Sequence, residues 1–229
     1  MADKRQFVNF AFYKVDPAWR RLPEAERRSG AESFSRAVLA RGADEIILRT
    51  YSLAGIRADA DLLLWRISYS LDALQAMSIA IQKSAPGKFL VPAYSYLSMS
   101  KRSTYIDKIS PEHEESRVRI VPGKAKYLFV YPFVKTRDWY LLPLARRQEI
   151  MDEHIRVGNK YPSVKLNTTY SFGLDDQDFV VAFESNEPGD FLDLVQELRE
   201  TESSRYTVRD TPTFTCVAKP LAEICADLV

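Results

Sequence analysis

Two cysteines and two histidines in 229 residues leave little material for disulfide or metal chemistry. Cys216, in TPTFTCVAK, and Cys225, in LAEICADLV, are too few for a disulfide framework and stand far along the chain from either histidine, so both read as structural thiols. A mononuclear zinc site is disfavoured, because no second His or Cys lies at ligand spacing from His154 and the other histidine, His113, sits in the charged stretch SPEHEES as a solvated loop residue. Charge of one sign is also lacking. With 32 basic and 31 acidic residues the net charge is +1, which offers no electrostatic footprint for nucleic acid or an anionic membrane. No apolar run approaches the ~20 residues of a membrane span, and MADKRQF has no hydrophobic segment behind it to act as a signal peptide. A soluble, cytoplasmic chain is expected, with a small molecule or another subunit as partner.

What is present is a repeat. FVNFAFYKVDPAWRRLPEAERR (7–28) aligns with YLFVYPFVKTRDWYLLPLARRQ (127–148), so that Trp19 falls on Trp139, Leu22 on Leu142 and Pro23 on Pro143. TYSLAGIRADADLLLWRIS (50–68) aligns with TYSFGLDDQDFVVAFES (169–185) after one small gap. Each copy reads as a strand, a helix opened by the Pro of the LP pair, two strands around a Gly- and Asp-rich turn, a second helix, and a closing strand. The second helix carries Leu71, Leu74, Met77 and Ile81 in one copy and Phe191, Leu194, Val195 and Leu198 in the other. This order is the ferredoxin-like split βαβ pattern, and the fold class is α+β. The halves are taken as 1–115 and 116–229, with the polar segment 101–126 expected to be a solvated connector.

The two copies act as a control on each other. Positions the fold requires should match, whereas a site can belong to one copy alone. His154 falls on Phe34, Tyr131 on Ala11 and Lys135 on Val15. On the helix expected over 143–157, Arg147, Ile150, Met151, His154 and Val157 form one stripe. A neutral imidazole there is either a metal or haem-iron ligand, oriented through its other ring nitrogen, or a core histidine that fills Phe34's space and bonds to a backbone carbonyl. The first copy, with no such histidine, carries no haem site of its own. Tyrosine can be oxidised to a neutral radical and lysine can hold a carboxylate as a point charge, so Tyr131 and Lys135 are candidates for chemistry. A strand-edge tyrosine beside a surface lysine is the plainer alternative.

In order and spacing, YPFVK, RDWYLLP, MDEHIRVGNKY, SFGLDDQDFVVAFES and ELRETESSRY resemble the C-terminal half of the chlorite dismutase-like haem proteins, and in particular their coproheme decarboxylase branch. The resemblance extends back through VPAYSYLSMSKRSTY and covers nearly the whole chain. It implies two repeats forming a dimeric α+β barrel, a homopentamer, a haem or coproheme site in the C-terminal half, and transient contact with a coproporphyrin ferrochelatase. By the same resemblance His154 is the proximal iron ligand, Tyr131 carries an oxidising radical, and Lys135 holds a propionate near it. Trp139 matches the motif's tryptophan, though Trp19 supports packing equally well. Arg117 or Arg119 would meet a propionate, Tyr94, Tyr96 and Ser98 would line the propionate side, and Arg199 with Ser204 would lie near the same carboxylates. Arg199 extends a stripe of Leu192 and Val195, an unusual place for a charge.

One departure separates the branches. Where chlorite dismutases carry a distal arginine, this chain has VKLNTTY, so the position falls on Leu166 or Asn167. The activity implied is hydrogen peroxide-dependent conversion of two propionates of Fe-coproporphyrin III (coproheme) to vinyls, giving haem b. A haem-binding or sensing protein without turnover, a weak haem peroxidase or chlorite dismutase-like enzyme, and a cofactor-free interaction protein are the alternatives.

Overall fold

A computed structural model describes residues 4–108 and 119–229, so that His113 and Arg117 lie outside the described residues. Along the first copy run β1 (Phe7–Val15), α1 (Glu24–Leu39), β2 (Ile47–Ser52), β3 (Leu62–Ser68), α2 (Leu71–Lys83) and β4 (Leu90–Met99). The second copy gives β5 (Tyr127–Lys135), α3 (Arg137–Leu141), α4 (Leu144–Gly158), β6 (Val164–Tyr170), β7 (Phe179–Ser185), α5 (Pro188–Glu200), β8 (Thr207–Arg209), β9 (Phe214–Ala218) and α6 (Leu221–Asp227). The class is α+β, built on the repeated ferredoxin-like order.

The chain forms two compact units, one running to Leu97 and taking in Cys216–Val229, the other Ser98–Thr215. In the first unit the strands lie in the order β4-β1-β3-β2. Every residue of β3 is buried, which is why LLLWRIS alternates so little. Its helix-side face packs Ala11, Tyr13, Val15, Leu62 and Leu64 against Phe34 and Val38 of α1 and Leu74, Met77 and Ile81 of α2. One charge shares that face. Arg66 is 3% exposed, and its guanidinium donates to Asn9 Oδ1 at 2.5 and 3.2 Å, Ser78 Oγ at 2.8 Å and Leu74 O at 3.3 Å, so burial is met by hydrogen bonds. The last strand closes here too: Val217 and Ala218 pair with Ser52 and Tyr51, and the Trp19 indole donates to Leu228 O at 2.6 Å.

In the second unit β5 and β6 flank β7 in antiparallel register, with β8 on the outer edge of β5. Local devices recur between the units because the local sequence does. Pro23 and Pro143 precede α1 and α4 with φ of −53° and −54°, preset for helix entry. Ser84 and Thr201 close α2 and α5, their hydroxyls donating to Ile81 O (2.6 Å) and Leu198 O (2.7 Å). Gly55 and Gly173 take φ of +76° and +72° in the turn after the second strand, a region open to glycine at little cost. Past that turn a carboxylate clamps the end of the first strand. Asp61 Oδ2 accepts from Val15 N and Asp178 Oδ2 from Lys135 N, each at 2.8 Å.

In the segment 101–126, expected to be a solvated connector, most of the described residues are exposed or half-buried, with local exceptions. Asp107 and Ile120 are buried. Ile106 N donates to Gln148 Oε1 (3.1 Å) while Gln148 Nε2 donates to Ile106 O (3.0 Å), and Lys108 pairs with Asp152 at 2.7 Å. Ile106 and Lys108 are therefore tied to α4.

A testable consequence concerns Gly30. A Cβ there would stand 2.3 Å from Trp19 Cη2, so Gly30→Ala should lower stability by about 1–3 kcal/mol. Denaturant unfolding of the variant checks this; an unchanged midpoint would mean that the Trp19 contact yields freely.

Candidate functional site

The register of the second unit puts Phe129, Tyr131 and Phe133 on one face with Phe183, Val181 and Phe179 of β7 and with Leu166, Thr168 and Tyr170 of β6. Helices cover this face. Phe191 stacks on Phe129 with ring centroids 3.9 Å apart and planes 9° apart, and Val157 of α4 joins the same cluster. Tyr131 stacks on Phe183 at 6.0 Å.

The cover is looser than in the first unit. There α1 buries Gly30, Ala31, Phe34 and Val38, whereas α4 fully buries only Ile150 and leaves Met151, His154 and Val157 half-buried. The strand beneath agrees: Ala11, Tyr13 and Val15 are buried, but Tyr131, Phe133 and Lys135 are half-buried. Matching positions are thus filled in one copy and left partly open in the other.

Polar groups converge on this opening. The Lys135 ammonium donates to Ser203 O at 2.7 Å and lies 4.6 Å from the centroid of the Trp139 ring, a cation–π distance. Ser203 Oγ meets His154 Nδ1 at 3.0 Å. Burial, reinforced by the Lys135 charge, holds His154 down at about 4, so the ring is neutral near pH 7. Burial also lowers Lys135 to about 8. The Tyr131 phenol is pushed well above its ordinary value by burial, with Asp210 adding to the effect and Arg199 opposing it. Trp139 is 2% exposed and packs against Tyr105 and Tyr206, with centroids at 6.1 and 5.4 Å.

Tyr131, Lys135, Trp139 and His154 are therefore brought together. Leu166 is on the same helix-covered face and 38% exposed, whereas Asn167 points to the opposite face, where its amide donates to Glu184 Oε1 at 2.9 Å. Ser98 lies on that opposite face as well, fully buried and bonded to Thr169 Oγ1 at 2.8 Å. Tyr94 and Tyr96 belong to the first unit, and the Tyr94 hydroxyl donates to Asp59 at 2.6 Å. Arg199 pairs with Asp210 at 3.2 Å and is exposed. Of the stripe it shares with Leu192 and Val195, Leu192 is 62% exposed and Val195 is half-buried against the cluster of Phe129, Phe183 and Phe191, while Phe191 and Leu194 are the fully buried residues of α5. The Ser204 hydroxyl donates to Arg199 O and Thr201 O at 2.8 Å each and so caps the helix end. Arg119 is exposed, and Arg117 lies outside the described residues.

Ser203 escaped the sequence reading by one position. Its signal was the repeat: counting from the matching caps Ser84 and Thr201 puts Ser203 opposite Pro86, another apolar-to-polar change. Arg147 is a second addition. Its Nε is buried without a partner among the described residues, and it interacts with the Tyr105 hydroxyl. Among those residues no group of three or more His, Cys, Asp or Glu side chains is placed to hold a metal ion.

The model of the family described as chlorite dismutase matches residues 27–219. The chain belongs to the chlorite dismutase family. Within that family it is 29% identical over 211 residues to a coproheme decarboxylase of Mycolicibacterium smegmatis, covering 92% of this chain and 88% of the relative. A chlorite dismutase of Ideonella dechloratans is 28% identical over 227 residues, covering 97% and 79%. Among solved structures, an arginine-to-lysine variant of chlorite dismutase from Candidatus Nitrospira defluvii superposes with a TM-score of 0.89 at 27% identity over 99% of this chain and 96% of that one. No helix of the described residues is long and apolar enough to cross a membrane.

The buried neutral state of His154 has a measurable cost in acid. Its folded pKa, about 4, lies below the ordinary histidine value of 6.5, so the unfolded chain binds a proton that the folded one refuses and stability falls as pH drops through 6.5 towards 4. His154→Phe, which copies Phe34, should lose less stability than the parent between pH 7 and pH 5. Denaturant midpoints at the two pH values measure it; equal losses would mean that His154 titrates normally.

Proposed function

We propose that the protein is a coproheme decarboxylase, which binds Fe-coproporphyrin III through His154 and, with hydrogen peroxide, converts two propionates to vinyls to yield haem b. The observation that carries the reading is the opening between α4 and β5, half-buried where the first copy is packed and lined by Tyr131, Lys135 and His154 in place of Ala11, Val15 and Phe34. These residues suit an iron porphyrin with carboxylate arms. His154 is neutral, its Nδ1 is engaged by Ser203, and Nε2 has no hydrogen-bond partner among the described residues, so His154 would hold the iron through Nε2. Lys135, a cation in a poorly hydrated setting, meets a carbonyl, aromatic rings and the neutral His154 but no carboxylate in an ion pair among the described residues, and would gain from one.

When bound, the iron porphyrin supplies the oxidising power drawn from peroxide. Each propionate, with one hydrogen peroxide and one proton, gives one vinyl, one carbon dioxide and two waters; the carbon skeleton loses two electrons, which reduce the peroxide. Tyr131, a phenol protonated at neutral pH and held so more firmly by burial, is the group that takes a hydrogen atom from the propionate in this reading. Lys135 holds the reacting carboxylate until it leaves as carbon dioxide. Leu166, on the helix-covered face, has no charge with which to steer a small oxyanion, and this supports decarboxylation over chlorite decomposition.

The deciding experiment supplies coproheme, titrates peroxide and identifies the porphyrin by mass. Tyr131→Phe should bind coproheme as the parent does and yield no haem b; haem b at the parent rate removes Tyr131 from the reaction, and oxygen from chlorite with no porphyrin product would favour the other branch. Coproheme affinity should fall as pH rises through about 8, where Lys135 loses its charge, and Lys135→Met should flatten that step. Affinities measured between pH 6.5 and 9 test it.

A further inference from the structure

A chain of hydroxyl groups behind His154 has only one direction in which its protons can run. Thr201 Oγ1, at the C-terminal cap of α5, donates its single proton to Leu198 O at 2.7 Å. It also lies 3.1 Å from Ser203 Oγ, a longer contact than the 2.7 Å that holds its proton on Leu198 O, so its lone pairs are what it offers to Ser203. Ser203 Oγ must then be the donor to Thr201, which commits the serine proton in turn. Towards His154 Nδ1, at 3.0 Å, Ser203 Oγ is left with lone pairs alone. Nδ1 therefore carries the hydrogen, and the lone pair of the neutral ring is on Nε2. Ser203 is 2% and Thr201 4% exposed, so water does not compete for these protons.

The first copy shows that the fold does not need this arrangement. The turn after α2 packs on α1 as the turn after α5 packs on α4. There the positions of Ser203, His154 and Lys135 are taken by Pro86, Phe34 and Val15. All three are buried; Val15 and Phe34 share one core cluster, and Pro86 and Val15 line one crevice. The cap hydroxyl is retained as Ser84, whose proton goes to Ile81 O. A cap common to both copies is extended in the second by one serine to reach a histidine.

We propose that Thr201 and Ser203 form a one-way hydrogen-bond relay that fixes the tautomer and ring orientation of His154, presenting the Nε2 lone pair to the iron of the bound porphyrin. Ser203 is thus a positioning residue, and its carbonyl steadies Lys135 at the same time. The role at iron rests on the coproheme reading above, but the tautomer does not.

The test has two readouts. In the protein without porphyrin, nitrogen-15 NMR of labelled histidine near pH 7 should show His154, assigned by its loss in His154→Phe, as the Nδ1–H tautomer. A Nε2–H tautomer overturns the relay. In binding titrations Ser203→Ala should weaken iron coproporphyrin III by tenfold or more, the usual range for loss of a group behind a metal ligand, and leave metal-free coproporphyrin III within twofold. Ser203→Cys, of similar size but a weak acceptor, should behave alike, and Thr201→Ser, which keeps the hydroxyl, should match the parent. Equal weakening of both porphyrins makes Ser203 a packing residue and overturns the proposal, as does unchanged binding of both. If the parent shows the Nδ1–H tautomer yet binds no iron porphyrin, the relay stands as a structural feature, whereas its proposed role at iron and the functional reading fall together.

Discussion

A carboxylate that takes hold of a strand's last amide sets the position of everything that follows in each unit. Asp61 does this to Val15 and Asp178 to Lys135, at the same distance and from the same turn. The clamp fixes where β1 and β5 stop, hence where the tryptophan turn begins and how the next helix crosses the sheet. In the first unit its charge is balanced by Lys14 at 2.9 Å; in the second the same oxygen accepts from the Tyr140 hydroxyl at 2.8 Å. Neutral phenol in place of ammonium leaves Lys135 as the nearby cation with no carboxylate of its own among the described residues, and this is the electrostatic condition on which an anion-holding role depends.

Much of this was legible because the chain carries its own comparison. Strand and helix order followed from period and from the paired Pro, Trp and Gly positions, since those signals are local. His154, Tyr131 and Lys135 were legible as departures from an apolar template. Ser203 was not, because its contribution is made by a carbonyl and a hydroxyl whose directions depend on the 3-10 turn Glu202–Tyr206. Spacing likewise identifies the stripe of Leu192, Val195 and Arg199 but not its burial, which changes from half-buried at Val195 to exposed at Leu192 and Arg199. Nor could period 2 say whether Leu166 or Asn167 meets the helices. Only the pairing of β6 with β7, which sets Leu166 opposite Phe183, decides the face.

The exchange of Phe34, Pro86 and Val15 for His154, Ser203 and Lys135 has a stability cost that the rest of the unit must offset. Burying an apolar ring fully contributes about 1.5–3 kcal/mol, whereas a desolvated polar group returns at best about the worth of its hydrogen bond. The stacked Phe129 and Phe191 and the docked segment around Ile106 add apolar and hydrogen-bonded contact close to the opening. A relaxed cleft is in this way carried by a rigid surround, the usual relation between a binding site and its scaffold.

Residues 216–229 complete the first unit: Ala218 pairs with Tyr51, and the indole of Trp19 bonds to Leu228, 209 positions away. During synthesis the unit begun first is therefore finished last. Ser98–Thr215 is contiguous and can close on itself, whereas the edge of β2 and the Trp19 indole stay without these partners until residues 216–229 have emerged. The older half of the nascent chain waits for the younger, and the interval is when an unpaired strand edge is open to a wrong neighbour.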